Sequence, residues 1–343
     1  MTDLKSLDIE ELTSLILQLG EKKFRADQIY QAIHKNMAED IDDLTTLSKK
    51  FREKLKEDYK IVNIKIAKKL ESRLDDTKKY LFLLEDGHVI ESVFMKYRHG
   101  NTVCISTQVG CRMGCSFCAS TKRGLVRNLT AGEILSQVYS IQKDTGERIS
   151  NIVLMGSGEP LDNYENVLKF LEIINSEKGQ NISYRNITLS TCGVTDRIYD
   201  LADLGRPLNL AISLHNPFDS ERREIMPSAK RYSIEDILKA CKYYNEKTGR
   251  RITFEYTLID GENDSPRHAE KLSQLCSGLN CHVNLIPLND VKEYDKVKSK
   301  SSSIQKFKKT LDRLGVNSTI RRELGSDISA ACGQLRIDFM EEE

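Results

Sequence analysis

The stretch Cys111-Arg112-Met113-Gly114-Cys115-Ser116-Phe117-Cys118 decides how the rest of the chain is read. Three cysteines spaced C-x3-C-x2-C let one short loop wrap a face of a cubane and offer three thiolates. A [4Fe–4S] cluster held by cysteine alone takes four ligands. Three ligands from one loop leave one iron open, and an open coordination position keeps a metal site available to substrate. Gly114 removes a side chain where the loop turns tightly, and Phe117 sets an aromatic ring beside the last ligand. The competing readings are buried thiols, since free cysteine behaves as a small hydrophobe, or a zinc site one ligand short. Structural zinc pairs two knuckles, and no second knuckle follows here. The cluster is the better account.

With 343 residues the chain has room for one large domain or two. The 52 Lys and Arg nearly balance the 51 Asp and Glu, which excludes a surface coated in positive charge for indiscriminate nucleic-acid binding. Any such contact must use local patches. The candidates are Lys122, Arg123 and Arg127 after the cluster loop, then Arg222, Arg223, Lys230 and Arg231, and finally Arg321 and Arg322. No apolar run is long enough to span a bilayer, and Met1-Thr2-Asp3-Leu4-Lys5 does not resemble a signal peptide. Nine cysteines in that setting predict reduced thiols in a cytoplasm, and Cys192, Cys241, Cys276 and Cys281, which lie in no motif, read as structural or incidental thiols.

Upstream of the loop, residues 8–57 carry helical periodicity. Asp8 and Glu11 make a capping pair ahead of Leu12, Leu15, Ile16 and Leu19, and two further helices carry Ala26, Ile29, Tyr30 and Ile33, then Leu44, Leu47, Phe51 and Leu55. The lysines and arginines on their other faces are explained by solvation alone. From Lys79 the pattern turns to strands around Asp86-Gly87, a hairpin signal, and this hairpin is expected to link the helical part to a core. Downstream, six strand-then-helix units alternate, with strands at 102–107, 151–155, 186–190, 209–213, 251–258 and 282–287. Alternation of this kind predicts a parallel sheet with crossover helices, with chemistry at the C-terminal strand ends. Periodicity does not separate an open sheet from a partial barrel. The Lys- and Ser-rich stretch Lys292–Lys309 predicts a basic loop running into the last helix.

The cysteine spacing resembles that of the radical S-adenosylmethionine (SAM) enzymes. Thr102-Val103-Cys104-Ile105-Ser106-Thr107-Gln108-Val109-Gly110 before the loop and Ala330-Ala331-Cys332-Gly333-Gln334-Leu335 far beyond it are similar to the RlmN/Cfr family of RNA methyltransferases. The likeness runs from about residue 10 to about residue 337. It implies an α/β fold: a partial (βα)6 radical SAM barrel with a helical accessory region at 1–78 that engages RNA, the linking hairpin at 79–96, a core at 97–321 and a C-terminal extension at 322–343. It also implies one [4Fe–4S] cluster on Cys111, Cys115 and Cys118, and two SAM per turnover. Gly158 and Glu159, Ser190, the segment Ser213-Leu214-His215, and Asn289 match SAM contacts. Glycine turns and strand-end Ser or Asn also occur without ligands.

In the family one SAM methylates a cysteine. A second SAM yields a 5′-deoxyadenosyl radical that takes hydrogen from the S-methyl group, and the carbon radical adds to an adenine. A second cysteine then releases the product by forming a disulfide. Cys332 matches the methyl carrier, Cys104 the resolving thiol and Glu91 the proton acceptor, although Glu91 also suits an exposed strand position. The implied substrates are an adenosine of the peptidyl-transferase centre of 23S rRNA and the tRNA adenosine beside the anticodon. Methylation is at ring carbon C2, because Pro160 matches that branch, whereas the C8-directed branch has Ala. An external one-electron donor such as flavodoxin or ferredoxin and a monomeric state complete the expectation. C8 methylation and a non-catalytic iron–sulfur RNA-binding protein are the alternatives.

Overall fold

The structure, a computed structural model, describes residues 1–289 and 296–330. Strand β1 (Thr2–Asp3) is followed by helices α1 (Ile9–Gln18), α2 (Phe24–His34) and α3 (Lys49–Asp58), and β2 (Tyr59–Lys60) returns parallel to β1. The capping pair is realised. Asp8 Oδ1 accepts the N–H groups of Glu10 and Glu11, and the Glu11 carboxylate accepts the Asp8 N–H at 3.0 Å. Leu12, Ile16, Ile29, Ile33, Phe51 and Leu55 bury the apolar stripes.

Next come β3 (Lys65–Glu71), β4 (Lys78–Leu83), β5 (Val89–Tyr97) and β6 (Gly100–Cys104), an antiparallel meander. Asp86-Gly87 makes the β4–β5 turn, with the Leu84 N–H donating to the His88 carbonyl at 2.8 Å. The hairpin expected as a link is therefore part of the main sheet. So is β3, which lies in the stretch assigned to the helical region. It is an almost wholly exposed edge strand carrying Lys65, Lys68 and Lys69, and without a buried face it shows no apolar alternation. Its lysines blunt the edge against pairing with other chains.

The hairpin β7 (Gln108–Gly110) and β8 (Leu125–Asn128) flanks the cysteine loop. Then follow α4 (Ala131–Thr145), β9 (Asn151–Leu154), α5 (Tyr164–Asn175), β10 (Ile187–Thr191), α6 (Thr195–Asp203), β11 (Asn209–Ser213), α7 (Asp219–Ile225), α8 (Ile234–Thr248), β12 (Ile252–Leu258), α9 (Pro266–Cys276), β13 (Cys281–Pro287), α10 (Ser301–Arg313) and β14 (Ser318–Ile320). Ten strands lie in the order β14-β13-β12-β11-β10-β9-β6-β5-β4-β3, and β6 with β9 to β14 run parallel. The six expected units are present, joined by β14, whose three residues are too few to show a period. The sheet does not close, so the barrel is partial. The last helix expected after the basic stretch is α10, where Ile304, Phe307 and Leu311 bury at helical spacing beneath its lysines. Residues 290–295 lie outside the described residues.

Lys5 joins the N-terminal helices to the barrel. It is 2 % exposed, and its Nζ donates to the Val62 carbonyl at 2.5 Å and to Asn63 Oδ1 and Ser136 Oγ of α4 at 2.8 Å each. Burial pulls its ammonium down to about 8. Lys5→Ala strands those acceptors, so it is expected to cost about 1–3 kcal/mol of stability, measured by denaturant unfolding. A change under ~0.5 kcal/mol would show that the contact does not hold the two parts together.

Candidate active site

The cysteine loop is tied at both ends and in the middle. The Cys111 N–H donates to the Gly124 carbonyl at 3.0 Å, the Ser116 N–H to the Ile225 carbonyl at the end of α7 at 2.9 Å, and the Cys118 N–H to the Cys115 carbonyl at 3.2 Å. Thr121 Oγ1 donates to the Cys118 carbonyl at 3.0 Å, and Arg112 pairs with Asp162. Cys111, Cys115 and Cys118 all line one cavity at the C-terminal strand ends. Burial pushes the Cys111 thiol up to about 12, and burial with the neighbouring Cys118 and Cys111 raises Cys115 well above its ordinary value. A metal that takes these thiols as thiolates must therefore displace protons. Among the described residues no three His, Cys, Asp or Glu side chains converge on a single ion.

The other wall of this cavity is built from successive strand ends. Gly158, Glu159, Ser190, Ser213, His215 and Asn289 line it, together with Thr191, Cys192, Glu255 and Arg321. A side chain at Gly156 would strike the Ile105 carbonyl carbon at 2.6 Å, and one at Gly158 (φ 110°) the Gln108 side chain at 2.7 Å. The glycines thus let two strand-end loops pack backbone to backbone. Glu159 is 4 % exposed. Its Oε1 accepts the Leu161 N–H at 3.0 Å and its Oε2 the Cys192 N–H at 2.8 Å. Burial raises its pKa against those two donors. Each carboxylate oxygen keeps further acceptor capacity, which suits an ammonium at the cavity wall.

His215 occupies the left-handed region (φ 56°), a conformation that costs a non-glycine residue about 1–3 kcal/mol. The Thr257 N–H donates to its Nδ1 at 3.0 Å, which leaves the proton on Nε2. Burial and the Arg222 charge draw its pKa down to about 3, so the ring is neutral at physiological pH. Its edge meets Phe117 of the cysteine loop, with ring centroids 4.7 Å apart.

A second cavity shares a wall with the first. Met155, Ile286, Asn289 and Arg321 line both, and the second adds Cys104, Val93, Met95, Leu324 and Ala330. Cys104 packs in one cluster with Val93, Met95 and Ala330. Glu91 is buried on β5, 4 % exposed, rather than on an exposed face, and its Oε1 lies 2.9 Å from Lys79 Nζ. Leu214 lines neither cavity. Its side chain belongs to the main core, and its N–H donates to the Glu255 carbonyl at 3.1 Å. Cys332 lies outside the described residues.

Two sequence expectations change. Arg222, grouped with a surface patch, is fully buried and donates to the carbonyls of Leu214, Cys192 and Ser213 at 3.0, 2.7 and 3.2 Å. A guanidinium spent on backbone carbonyls is not available to phosphates. Cys192, read as incidental, lines the cavity. Glu255 was not singled out from sequence, although a lone carboxylate inside the apolar run 252–258 is the signal for it. It accepts from Asn284 Nδ2 at 2.8 Å, and burial raises its pKa against Arg321.

Replacing Cys111, Cys115 or Cys118 by Ala is expected to abolish cluster binding. Iron and sulfide analysis after anaerobic reconstitution checks this, and a full iron complement in any single variant would contradict it.

Residues 105–272 match the radical SAM superfamily, and residues 2–61 match the ribosomal RNA large subunit methyltransferase N-terminal domain. The probable dual-specificity RNA methyltransferase RlmN of Lachnospira eligens is 54 % identical over 100 % of this chain and 98 % of its own length. That of Alkaliphilus oremlandii is 57 % identical over 97 % of each chain. The crystal structure of a radical SAM methyltransferase from Sphaerobacter thermophilus superposes with a TM-score of 0.94 at 41 % identity, covering 98 % of this chain and 100 % of that one. With three thiols and the strand-end residues around one cavity, and relatives of this identity along the full length, the chain belongs to the RlmN family of radical SAM RNA methyltransferases, which work with a [4Fe–4S] cluster and SAM.

Proposed function

We propose that the chain methylates C2 of adenosine in 23S rRNA and in tRNA, the former at the peptidyl-transferase centre and the latter beside the anticodon. The observation that carries the chemical part is the placement of Cys104. It faces Ala330 across the smaller cavity, and Cys332 follows Ala330 by two residues. Two residues of chain reach about 7 Å at most, so Cys332 is tethered to a residue that packs in one cluster with Cys104. Cys111, Cys115 and Cys118 would hold the cluster, which when bound supplies one electron to SAM. Glu159 and Asn289 bind the methionine end of SAM, and Ser190 and Ser213 line its bed.

An adenine C2–H is neither acidic nor nucleophilic, so displacement from SAM fails at that carbon. Cys332 takes a methyl group instead and delivers it as a one-carbon bridge to the ring. Glu91 accepts the ring proton, and one electron leaves the adduct for the external one-electron carrier, which makes the bridge between Cys332 and the ring a closed-shell thioether. The Cys104 thiolate then attacks the Cys332 sulfur, so that an S–S bond forms and the S–CH2 bond breaks. The bonding pair stays with the carbon, which is protonated to a methyl group. A thiol reductant must reopen the disulfide before the next turnover. Reaching C2 requires the base to leave its stack, and the helices of residues 1–60 with their exposed lysines are the surface for the rest of the RNA. An external one-electron donor, a monomeric protein and a cytoplasmic setting fit this reading. Pro160 favours C2 over C8.

Two thiol variants test the proposal. Cys332→Ala is expected to keep iron and SAM binding while losing all methyl transfer. Cys104→Ala is expected to permit radical addition and block release, so that the protein is recovered with RNA attached, stable to denaturation and removed by nuclease. Normal turnover by either variant would contradict the assignment of that thiol.

A further inference from the structure

Lys79 on β4 is 5 % exposed. It stands opposite Val93 on β5, Val93 stands opposite Cys104 on β6, and Glu91 stands opposite Leu81. The period of two places Lys79, Leu81, Glu91, Val93 and Cys104 on one face of the sheet. Residues 324–330 pack over that face through Leu324, Ile328 and Ala330.

Two contacts meet at Lys79 Nζ. It lies 2.9 Å from Glu91 Oε1 and donates to the Ser329 carbonyl at 3.2 Å. The segment that carries Ser329 is also held by the β3–β4 turn. Asp75 Oδ2 accepts the Gly325 N–H at 3.0 Å, and Asp327 accepts Ser72 Oγ–H at 2.7 Å and the Arg73 N–H at 2.8 Å. Ser329 precedes Cys332 by three residues.

A buried ion pair is a poor stabiliser, because desolvation offsets the attraction and apolar side chains would fill the same space as well. An ammonium beside a carboxylate favours the charged form, which is the form that accepts a proton. We propose that Lys79 is a positioning residue that joins Glu91 to the segment leading to Cys332, so that the proton acceptor is charged and aimed while that segment is seated. This rests on the roles given above to Glu91 and Cys332.

The test uses the full, reconstituted protein with RNA, SAM and reductant under anaerobic conditions. Lys79→Met, Lys79→Arg and Glu91→Gln are compared for iron content, 5′-deoxyadenosine, S-methyl Cys332, methylated RNA and nuclease-sensitive protein–RNA adduct. Lys79→Met is expected to keep iron and SAM cleavage, to lose ~10–100-fold in methylated RNA, by analogy with the loss of a partner that orients a metal ligand, and to accumulate adduct. Lys79→Arg restores part of the loss. Normal turnover by Lys79→Met would overturn the proposal. Loss of iron or of SAM cleavage would also overturn it, by making Lys79 structural. Absence of both S-methyl Cys332 and adduct would leave Lys79 with seating alone and remove the link to Glu91. If Glu91→Gln turns over normally, the proton-acceptor reading itself fails. If Glu91→Gln traps adduct and Lys79→Met does not, only the present proposal fails.

Discussion

The site depends on a backbone-to-backbone contact between the ends of β6 and β9. The Gly156 N–H donates to the Ile105 carbonyl at 3.0 Å, and the N–H groups of Thr107 and Gln108 donate to the Ser157 carbonyl at 2.9 and 3.1 Å. No side chain fits between these loops. Gln137 of α4 fixes the arrangement from behind, accepting the Ser106 N–H at 2.8 Å and donating to the Ser106 carbonyl at 2.9 Å. Gln108 Oε1 accepts the Glu159 N–H at 2.9 Å. The strand that leads to the cysteine loop and the strand end that presents Glu159 are thereby set in one frame. Buried amides satisfied on both sides of a polar network specify one geometry.

The antiparallel meander gives the barrel what parallel strands alone would lack. Its inward face carries Glu91 and, with β6, Cys104, and it offers a bed for residues 324–330. The smaller cavity, which holds Cys104, and the larger, which holds the three loop thiols, share a wall of Met155, Ile286, Asn289 and Arg321. By continuing one sheet past the barrel's first strand the fold supplies two compartments in contact, which suits the proposed transfer from SAM to a thiol pair.

Much of this was legible in the residues. The cysteine spacing, the glycines before Glu159 and the alternation of strands and helices each leave a local signature, and the site lies where those signatures place it. The failures share a cause. Lys65–Glu71 is an edge strand exposed on nearly all sides, so nothing in its pattern distinguishes it from a charged linker. Arg222 sits among other charged residues in α7, and only tertiary structure shows its guanidinium turned onto three strand-end carbonyls. Glu91 sat in an apolar strand with an exposed position as the simpler reading. Its partner, Lys79, is distant by a hairpin, and a pair across strands leaves no mark in sequence spacing.

The measurement closest to the central claim is the isotopic content of the product methyl group. Reconstituted protein is given SAM carrying a CD3 methyl, unlabelled RNA and reductant, and the nucleosides are analysed by mass spectrometry. The account predicts 2-methyladenosine whose methyl group holds two deuterons, the third appearing in 5′-deoxyadenosine. A methyl group with all three deuterons would show direct transfer without a radical on Cys332, and label at C8 in place of C2 would assign the chain to the other chemistry.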